Sequence, residues 1–225
     1  MTLLVEAITP IQQTTLADVV FERIRRAIIM GNLKPGQRLS EPALSAQLAV
    51  SRSPVREALQ RLQLEGLVVG QTNRSCMVWS PNESDVKEIF SLREMIETLA
   101  VEWCINSLTE EDFKQLEQII ERQRQAIEAK DYVILIREDK LFHEYICIRA
   151  NHQRLLDWWH QIIGQWEVLI YRRLLANPEE VVPSVIRDHH ALMDALRSQD
   201  INQVRVLNRA INERVIITTA AALKK

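Results

Sequence analysis

The sequence predicts a mainly α-helical protein in which an N-terminal winged helix-turn-helix is followed by an all-helical bundle. Only 5 glycines and 7 prolines occur in 225 residues, and this favours helices over an all-β fold. Up to Ser80 the patterns read helix, short helix, tight corner, helix and hairpin, which is the order of a winged helix-turn-helix. After Pro81 only long amphipathic helical patterns follow. We therefore predict two domains, at residues 1–80 and 81–225.

Composition excludes several classes of protein. Hydrophobic residues make up 47% and charged residues 26% of the chain, as in globular rather than disordered proteins. No apolar run approaches the roughly 18 residues of a membrane span, and "MTLLVEAITP" lacks the pattern of a secretion signal. We therefore expect a cytoplasmic protein without a membrane partner. Its three cysteines form no CxxC pair, and we expect free thiols. They are Cys76, Cys104 and Cys147.

Charge is distributed unevenly along the chain. The formal net charge is -2. Residues 1–80 contain nine Lys and Arg and six Asp and Glu. Residues 81–225 contain nineteen Lys and Arg and twenty-four Asp and Glu. A basic first part and an acidic second part fit two domains, of which only the first suits a polyanion.

The elements of the first part can be read in order. The stretch 15–30 has apolar residues at helical spacing and ends at Gly31. "NLKPGQRL" reads as a turn that leads into a short extended segment. A second helix is predicted over 41–48, followed by the corner "AVS". The third helix lies in "SRSPVREALQRLQLEGLV", with a serine cap, a proline in the first turn and a terminal glycine. Two short strands around a polar tip at 71–74 complete the part.

Six helices are predicted for the second part. Their breaks fall at polar residues, prolines or asparagines between amphipathic runs. The predicted ranges are 83–107, 109–130, 132–150, 152–176, 178–198 and 200–222.

The start of the third helix has the chemistry of a DNA-reading element. In a helix-turn-helix, the N-terminal residues of the second helix reach base edges in the major groove. The planar guanidinium of arginine can bind guanine O6 and N7 together, and serine hydroxyls suit phosphate. The alternative is an ordinary solvated helix, but the surrounding element order favours DNA. The predicted DNA contacts, including two at the hairpin tip, are Ser51, Arg52, Ser53, Arg56, Asn73 and Arg74.

A second group of polar residues lies in the helical part. Asp139 and His143 are four residues apart and share a helix face. His189 shares a face with the apolar residues of "IRDHHALMDAL", so it should point inward and His190 outward. A carboxylate and two imidazoles could bind zinc, nickel or manganese. The alternative is a hydrogen-bonded Asp–His pair without a metal.

The first part resembles a known family. "LKPGQRLSEPALSAQLAVSRSPVREALQRLQLEGLV" resembles the winged-helix domain of the GntR family of bacterial transcription regulators, and "SRSPVREALQRL" is its most specific segment. The resemblance implies that Arg52 and Arg56 read bases with support from the two serines. Three residues depart from the family pattern: Pro42 replaces a frequent arginine, and Ala49 and Ser75 replace glycines. If Ala49 and Ser75 need a positive φ, their backbones should be strained.

The second part is similar to the FCD effector domain found in the FadR branch of that family. The similarity rests on "SLREMIETLAVEW", "DKLFHEYI", "ANHQRLL" and "DHHALMDAL", over about residues 84–222. It implies a divalent metal bound by Asp139, His143 and His189, and a small carboxylate effector nearby. Ile211 occupies the place of the last histidine of the family, and this should lower metal affinity.

The resemblance also suggests effector contacts. Arg93 could pair with an effector carboxylate, or it could form a structural ion pair with Glu97 or Asp139. Asn151, Tyr171 and Arg172 are further candidates. Three tryptophans are expected in the core rather than around a ligand: Trp158, Trp159 and Trp166.

Together these observations predict a regulator rather than an enzyme. We expect a homodimer on a palindromic double-stranded operator, because one recognition helix reads only a few base pairs. Repression is the commoner mode of control in the family. One alternative is a metal-dependent enzyme that uses Asp139, His143 and His189, although no general-base motif such as HExxH is present. Another is a non-specific nucleoid-type DNA binder, which the modest positive charge of the first part disfavours.

Overall fold

A computed structural model describes residues 14–72 and 75–224 of the chain. The described elements are mostly helical, with one small sheet, and they confirm the predicted fold class. No described helix combines the length and the apolar character that crossing a bilayer requires. In chain order the elements are α1 (Leu16–Ile29), β1 (Arg38–Ser40), α2 (Glu41–Leu48), α3 (Arg52–Leu64), β2 (Val68–Thr72), β3 (Ser75–Val78), α4 (Glu83–Cys104), α5 (Glu110–Glu128), α6 (Tyr132–Arg149), α7 (Gln153–Ala176), α8 (Pro178–Arg197) and α9 (Ile201–Ala222).

The first part is a three-helix unit with a small antiparallel sheet. Helix α1 starts at a capping box, in which Thr15 and Asp18 satisfy each other's backbone N–H groups. Its buried face packs against α3. The strand order is β1-β3-β2, with Leu39 opposite Cys76. Helix α3 ends before Gly66, whose φ of 66° suits a residue without a Cβ.

The corner between α2 and α3 contains a strained residue. Ala49 is in the left-handed region, with φ 54° and ψ 42°. The sequence predicted strain here if the family's glycine position needed a positive φ, and the backbone meets that condition. Pro42 lies in the first turn of α2, where its missing N–H removes no helical hydrogen bond.

The second part is a bundle of six helices. Their observed ends differ from the predicted ones by up to three residues. Where a start differs, the residue predicted as the first helical one is the N-cap, as at Thr109 and Asp200. Trp159 and Trp166 of α7 are fully buried in the centre of the bundle. Trp158 is exposed and is not part of the core. Consecutive residues of a helix point about 100° apart, so Trp158 reaches solvent although Trp159 beside it is buried.

The two parts touch through a polar contact between α1, the end of α3 and the middle of α7. Arg25 donates from Nε to Glu65 over 2.9 Å and also pairs with Glu167. Gln165 donates to the carbonyl of Gly66 over 3.2 Å. A Cβ at Gly164 would lie 2.9 Å from a Glu65 carboxylate oxygen, so glycine permits this close approach. Helix α7 is therefore one element of the bundle that contacts the winged helix.

Candidate DNA interface and buried polar cavity

The N-terminal end of α3 presents an exposed arginine. Arg52 and Ser53 are exposed in the first turn, and Ser51 occupies the N-cap position without a side-chain capping bond. Three backbone N–H groups at this end, those of Ser51, Arg52 and Ser53, have no helical partner and favour a negatively charged group. The next residue, Pro54, has no N–H. This end of α3 has the donors that DNA recognition requires.

Arg56 is held differently from Arg52. It makes a bidentate ion pair with Glu41 of α2, with Nε–Oε1 and Nη2–Oε2 distances of 3.0 Å. Glu41 is buried, whereas about half of the Arg56 side chain is exposed. Removing Arg56 would leave a buried carboxylate without this partner, so Arg56 has a structural role beside its predicted contact with bases. The other predicted DNA contacts, Asn73 and Arg74, lie outside the described residues.

A cavity in the bundle brings the predicted metal ligands together. Its volume is about 660 Å³, including space open to solvent. Asp139 and His143 reach it from α6, and His189 reaches it from α8. His189 is buried, and His190 is only partly buried, as the helical spacing predicted. Apolar side chains complete most of the wall: Leu135, Ile136, Trp166, Ile170, Leu174, Val181, Val185, Leu192, Ile211 and Val215.

Hydrogen bonds orient both imidazoles in the same way. His143 Nδ1 lies 3.2 Å from Oε2 of Glu97. Burial would raise the pKa of Glu97, but Arg93 and His143 outweigh it and hold that pKa at about 2. Ionised Glu97 can only accept, so His143 must donate from Nδ1. His189 Nδ1 is 2.8 Å from Oε1 of Gln123, another acceptor. In neutral imidazoles, both Nε2 atoms then carry free lone pairs.

These lone pairs converge on a single point. His189 Nε2 is 3.2 Å from His143 Nε2 and 3.3 Å from Oδ1 of Asp139. Burial lowers the pKa of His189 well below its usual value, which keeps this imidazole neutral. Two tetrahedral ligands at the usual zinc distances would be about 3.3 Å apart. The three residues therefore have the donor types and separations of a divalent metal site.

Arg93 lies beside these residues but already has a partner. Its Nε donates to Glu97 on the next turn of α4. Its guanidinium also lies over the Trp166 ring, 4.2 Å from the ring centroid. Arg93 lines the cavity, yet part of its hydrogen-bonding capacity is used in the ion pair. The structure thus shows the ion pair with Glu97, and a contact of Arg93 with an effector carboxylate stays a prediction.

Helix α9 contributes amides as well as Ile211. Asn208 and Asn212 are buried, line the cavity and hydrogen-bond to each other over 3.3 Å. Ile211 lines the cavity but is only half-buried. Neither asparagine was predicted as a site residue, because the face that α9 turns to the cavity depends on how the helices pack.

The remaining predicted effector contacts do not line this cavity. Among the described lining residues, Asn151, Tyr171 and Arg172 are absent. Tyr171 lines a different depression near α1, and Asn151 is in the turn before α7. On α7 the cavity side includes Ile170 and Arg173, so the two residues between them point elsewhere. The predicted effector contacts of these three residues are therefore not supported by this cavity, which Arg173 lines instead.

Comparison with known proteins decides the family. The family described as "Bacterial regulatory proteins, gntR family" matches residues 16–78, and the FCD domain matches residues 88–214. The chain belongs to the GntR family. The HTH-type transcriptional regulator McbR of Escherichia coli is 30% identical over 79% of this chain and 80% of its own length. A solved structure of E. coli McbR/YncC has a TM-score of 0.79, covering 93% of this chain and 99% of that one, at 28% identity.

Other GntR-family relatives agree with this assignment. The gluconate operon transcriptional repressor of Bacillus licheniformis is 29% identical over 79% of this chain and 74% of its own length. This GntR-family chain is therefore a DNA-binding transcriptional regulator and not an enzyme. The alternative of a metal-dependent hydrolase is set aside.

Proposed function

We propose that this chain is a metabolite-responsive repressor that binds a palindromic operator as a homodimer in the cytoplasm. Residues 1–80 would bind DNA, and residues 81–225 would bind the effector and form the dimer. One observation carries the proposal. Helix α7 lines the polar cavity with Trp166 and Ile170, and its Glu167 contacts Arg25 of the winged helix. A ligand that shifts α7 would therefore act directly on the DNA-binding part. Two relatives are named gluconate operon transcriptional repressors, and this supports repression rather than activation.

We assign Arg52 as the principal base-reading residue. It is exposed at the end of α3 that a helix-turn-helix inserts into the major groove, whereas Arg56 is paired with Glu41. The operator can be obtained by selecting bound sequences from a random DNA pool. Arg52→Ala should then weaken operator binding by about 1–3 kcal/mol.

The matched control is Arg23→Ala. Arg23 is exposed on α1, so this variant loses the same charge outside the recognition helix. Both variants should bind random DNA similarly at fixed salt. Equal operator affinities of the two variants would reject Arg52 as a base reader.

We also propose that Asp139, His143 and His189 bind one divalent metal, with zinc favoured by the nitrogen-rich donor set. The geometry supports this, because the carboxylate and the two imidazoles each offer one ligand atom, and these atoms all lie within 4.8 Å of one another. The metal would supply a Lewis-acid position for an effector carboxylate. Elemental analysis of untagged protein should give about one metal per chain. Asp139→Ala should lose it, and exposed Asp157→Ala should retain it. Equal metal contents in the two variants would reject the site.

An exposed apolar stripe on α4 supports the homodimer. Its four side chains fall within one face of the helix, and an apolar patch of this kind often marks a protein interface. We propose that a second copy of the chain covers it. Light scattering should show a dimer for the wild type and a monomer for the double variant Met95→Glu, Leu99→Glu; a folded dimer of that variant would place the interface elsewhere. The stripe consists of Leu92, Met95, Leu99 and Trp103.

A further inference from the structure

The cavity contains a buried arginine whose hydrogen bonding is incomplete. Arg173 of α7 is only 3% exposed and lines the cavity. Its Nε donates to Oγ1 of Thr218 over 2.7 Å, but its Nη2 is buried without a hydrogen-bond partner among the described residues. The two nearby arginines differ from it, because Arg93 pairs with Glu97 and Arg214 pairs with Asp188. Arg173 therefore lacks the carboxylate that its neighbours have.

A buried arginine of this kind lowers the stability of the folded protein unless an anion pairs with its guanidinium. A buried cation without a paired anion loses its hydration and gains little in return. Burial lowers the pKa of Arg173, and the charge of Arg214 lowers it further. Three carboxylates oppose this lowering of the pKa without reversing it, those of Asp139, Glu180 and Asp188. Thr218 does not depend on this contact, since its hydroxyl also donates to backbone carbonyls of α9. The Nη2 group of Arg173 is therefore a donor that an anion in the cavity could accept from.

Arg173 and the proposed metal ligands line the same cavity from different helices. Arg173 is on α7, whereas Asp139 and His143 are on α6 and His189 is on α8. The cavity thus contains a candidate cation site at Asp139 and the two histidines, and also the guanidinium of Arg173.

We propose that Arg173 binds a second anionic group of the effector, so that the effector is a dianion such as a short dicarboxylate. Its first carboxylate would lie at the proposed metal site and its second on Nη2 of Arg173. This inference rests on the proposed carboxylate-effector function and specifies its ligand class. A monocarboxylate would leave Nη2 without a partner and should bind less tightly.

The experiment compares succinate, glutarate and adipate with butyrate, valerate and hexanoate, using the full chain supplemented with zinc. Calorimetry gives affinity, and thermal unfolding gives the stability of the ligand-free protein. The test variant is Arg173→Met, which keeps the apolar stem and removes the charge. The control is Arg172→Met, at the adjacent position outside the cavity. At least one dicarboxylate should bind wild type more tightly than its monocarboxylate and lose about tenfold or more in affinity in Arg173→Met alone.

Ligand-free stability distinguishes a binding role from a structural one. If Arg173 is kept for a ligand, ligand-free Arg173→Met should unfold at the wild-type temperature or above it. A different result would overturn the inference and leave the effector cavity intact. In that result wild type binds dicarboxylates and monocarboxylates equally, Arg173→Met leaves both affinities unchanged, and Arg173→Met unfolds at a lower temperature. If no carboxylate of either kind binds wild type, the proposed carboxylate effector fails and the inference fails with it.

Discussion

Replacing Ala49 by glycine should stabilise the protein. Ala49 ends α2 at a φ of 54°, where an L-residue places its Cβ too close to the following carbonyl oxygen. Its methyl group is exposed, so removing it sacrifices almost no packing. The substitution Ala49→Gly therefore removes backbone strain without creating a cavity.

Two opposing terms set the size of the effect. The left-handed conformation costs alanine about 1–2 kcal/mol relative to glycine. Glycine loses more backbone freedom on folding, which costs about 0.4–1 kcal/mol. The net gain should be about 0.5–1 kcal/mol, or about 1–4 °C in the midpoint of thermal unfolding for a chain of this size.

Urea and thermal unfolding of three variants would test this reasoning. Ala46→Gly, in the helical and exposed part of α2, should lose about 1 kcal/mol, because glycine is a poor helix former. Asn151→Gly, at φ 50°, should gain less than Ala49→Gly because asparagine tolerates the left-handed region. A loss of stability in Ala49→Gly as large as that in Ala46→Gly would refute the strain argument.

Three further predictions follow from the same structure. Gln123→Leu should weaken zinc binding about 10–100-fold in a chelator competition, because His189 loses the acceptor that orients it; unchanged affinity would contradict that role. All three cysteines should stay unlabelled by a thiol reagent at pH 8 until the protein unfolds, since they are buried and burial raises the pKa of each thiol; rapid labelling of the native protein would contradict this. Glu167→Gln should reduce the effect of effector on operator affinity while changing effector affinity less than about threefold, because it weakens the link to Arg25; an unaltered effect would exclude this link from the signal.

Local patterns were sufficient for the order of the described elements and for naming the three residues that the structure brings together as a candidate metal site. Helical spacing is a property of neighbouring residues, so it located all the helices and turned His189 inward and His190 outward. The spacing of Asp139 and His143 likewise put them on one face of α6. A family resemblance carried by contiguous motifs supplied the assignment that the comparisons later confirmed.

Side-chain partners from distant helices could not be read in the same way. Gln123 precedes His189 by 66 residues, and nothing local indicates that its oxygen faces Nδ1. Tyr171 and Arg172 were predicted as effector contacts and Arg173 was not, because the side of α7 that faces the cavity depends on the packing of distant helices.

The sequence by itself therefore determined that this chain is a helical GntR-family regulator with an arginine-bearing recognition helix and a candidate metal-ligand set. Only the tertiary structure decided that Arg56 is paired with Glu41, that Arg93 is paired with Glu97, and that Arg173 faces the cavity without an anion. The physical reason is how far apart along the chain the interacting residues lie. Helix periodicity and capping depend on residues within a few positions, whereas ion pairing and desolvation depend on which helices pack together.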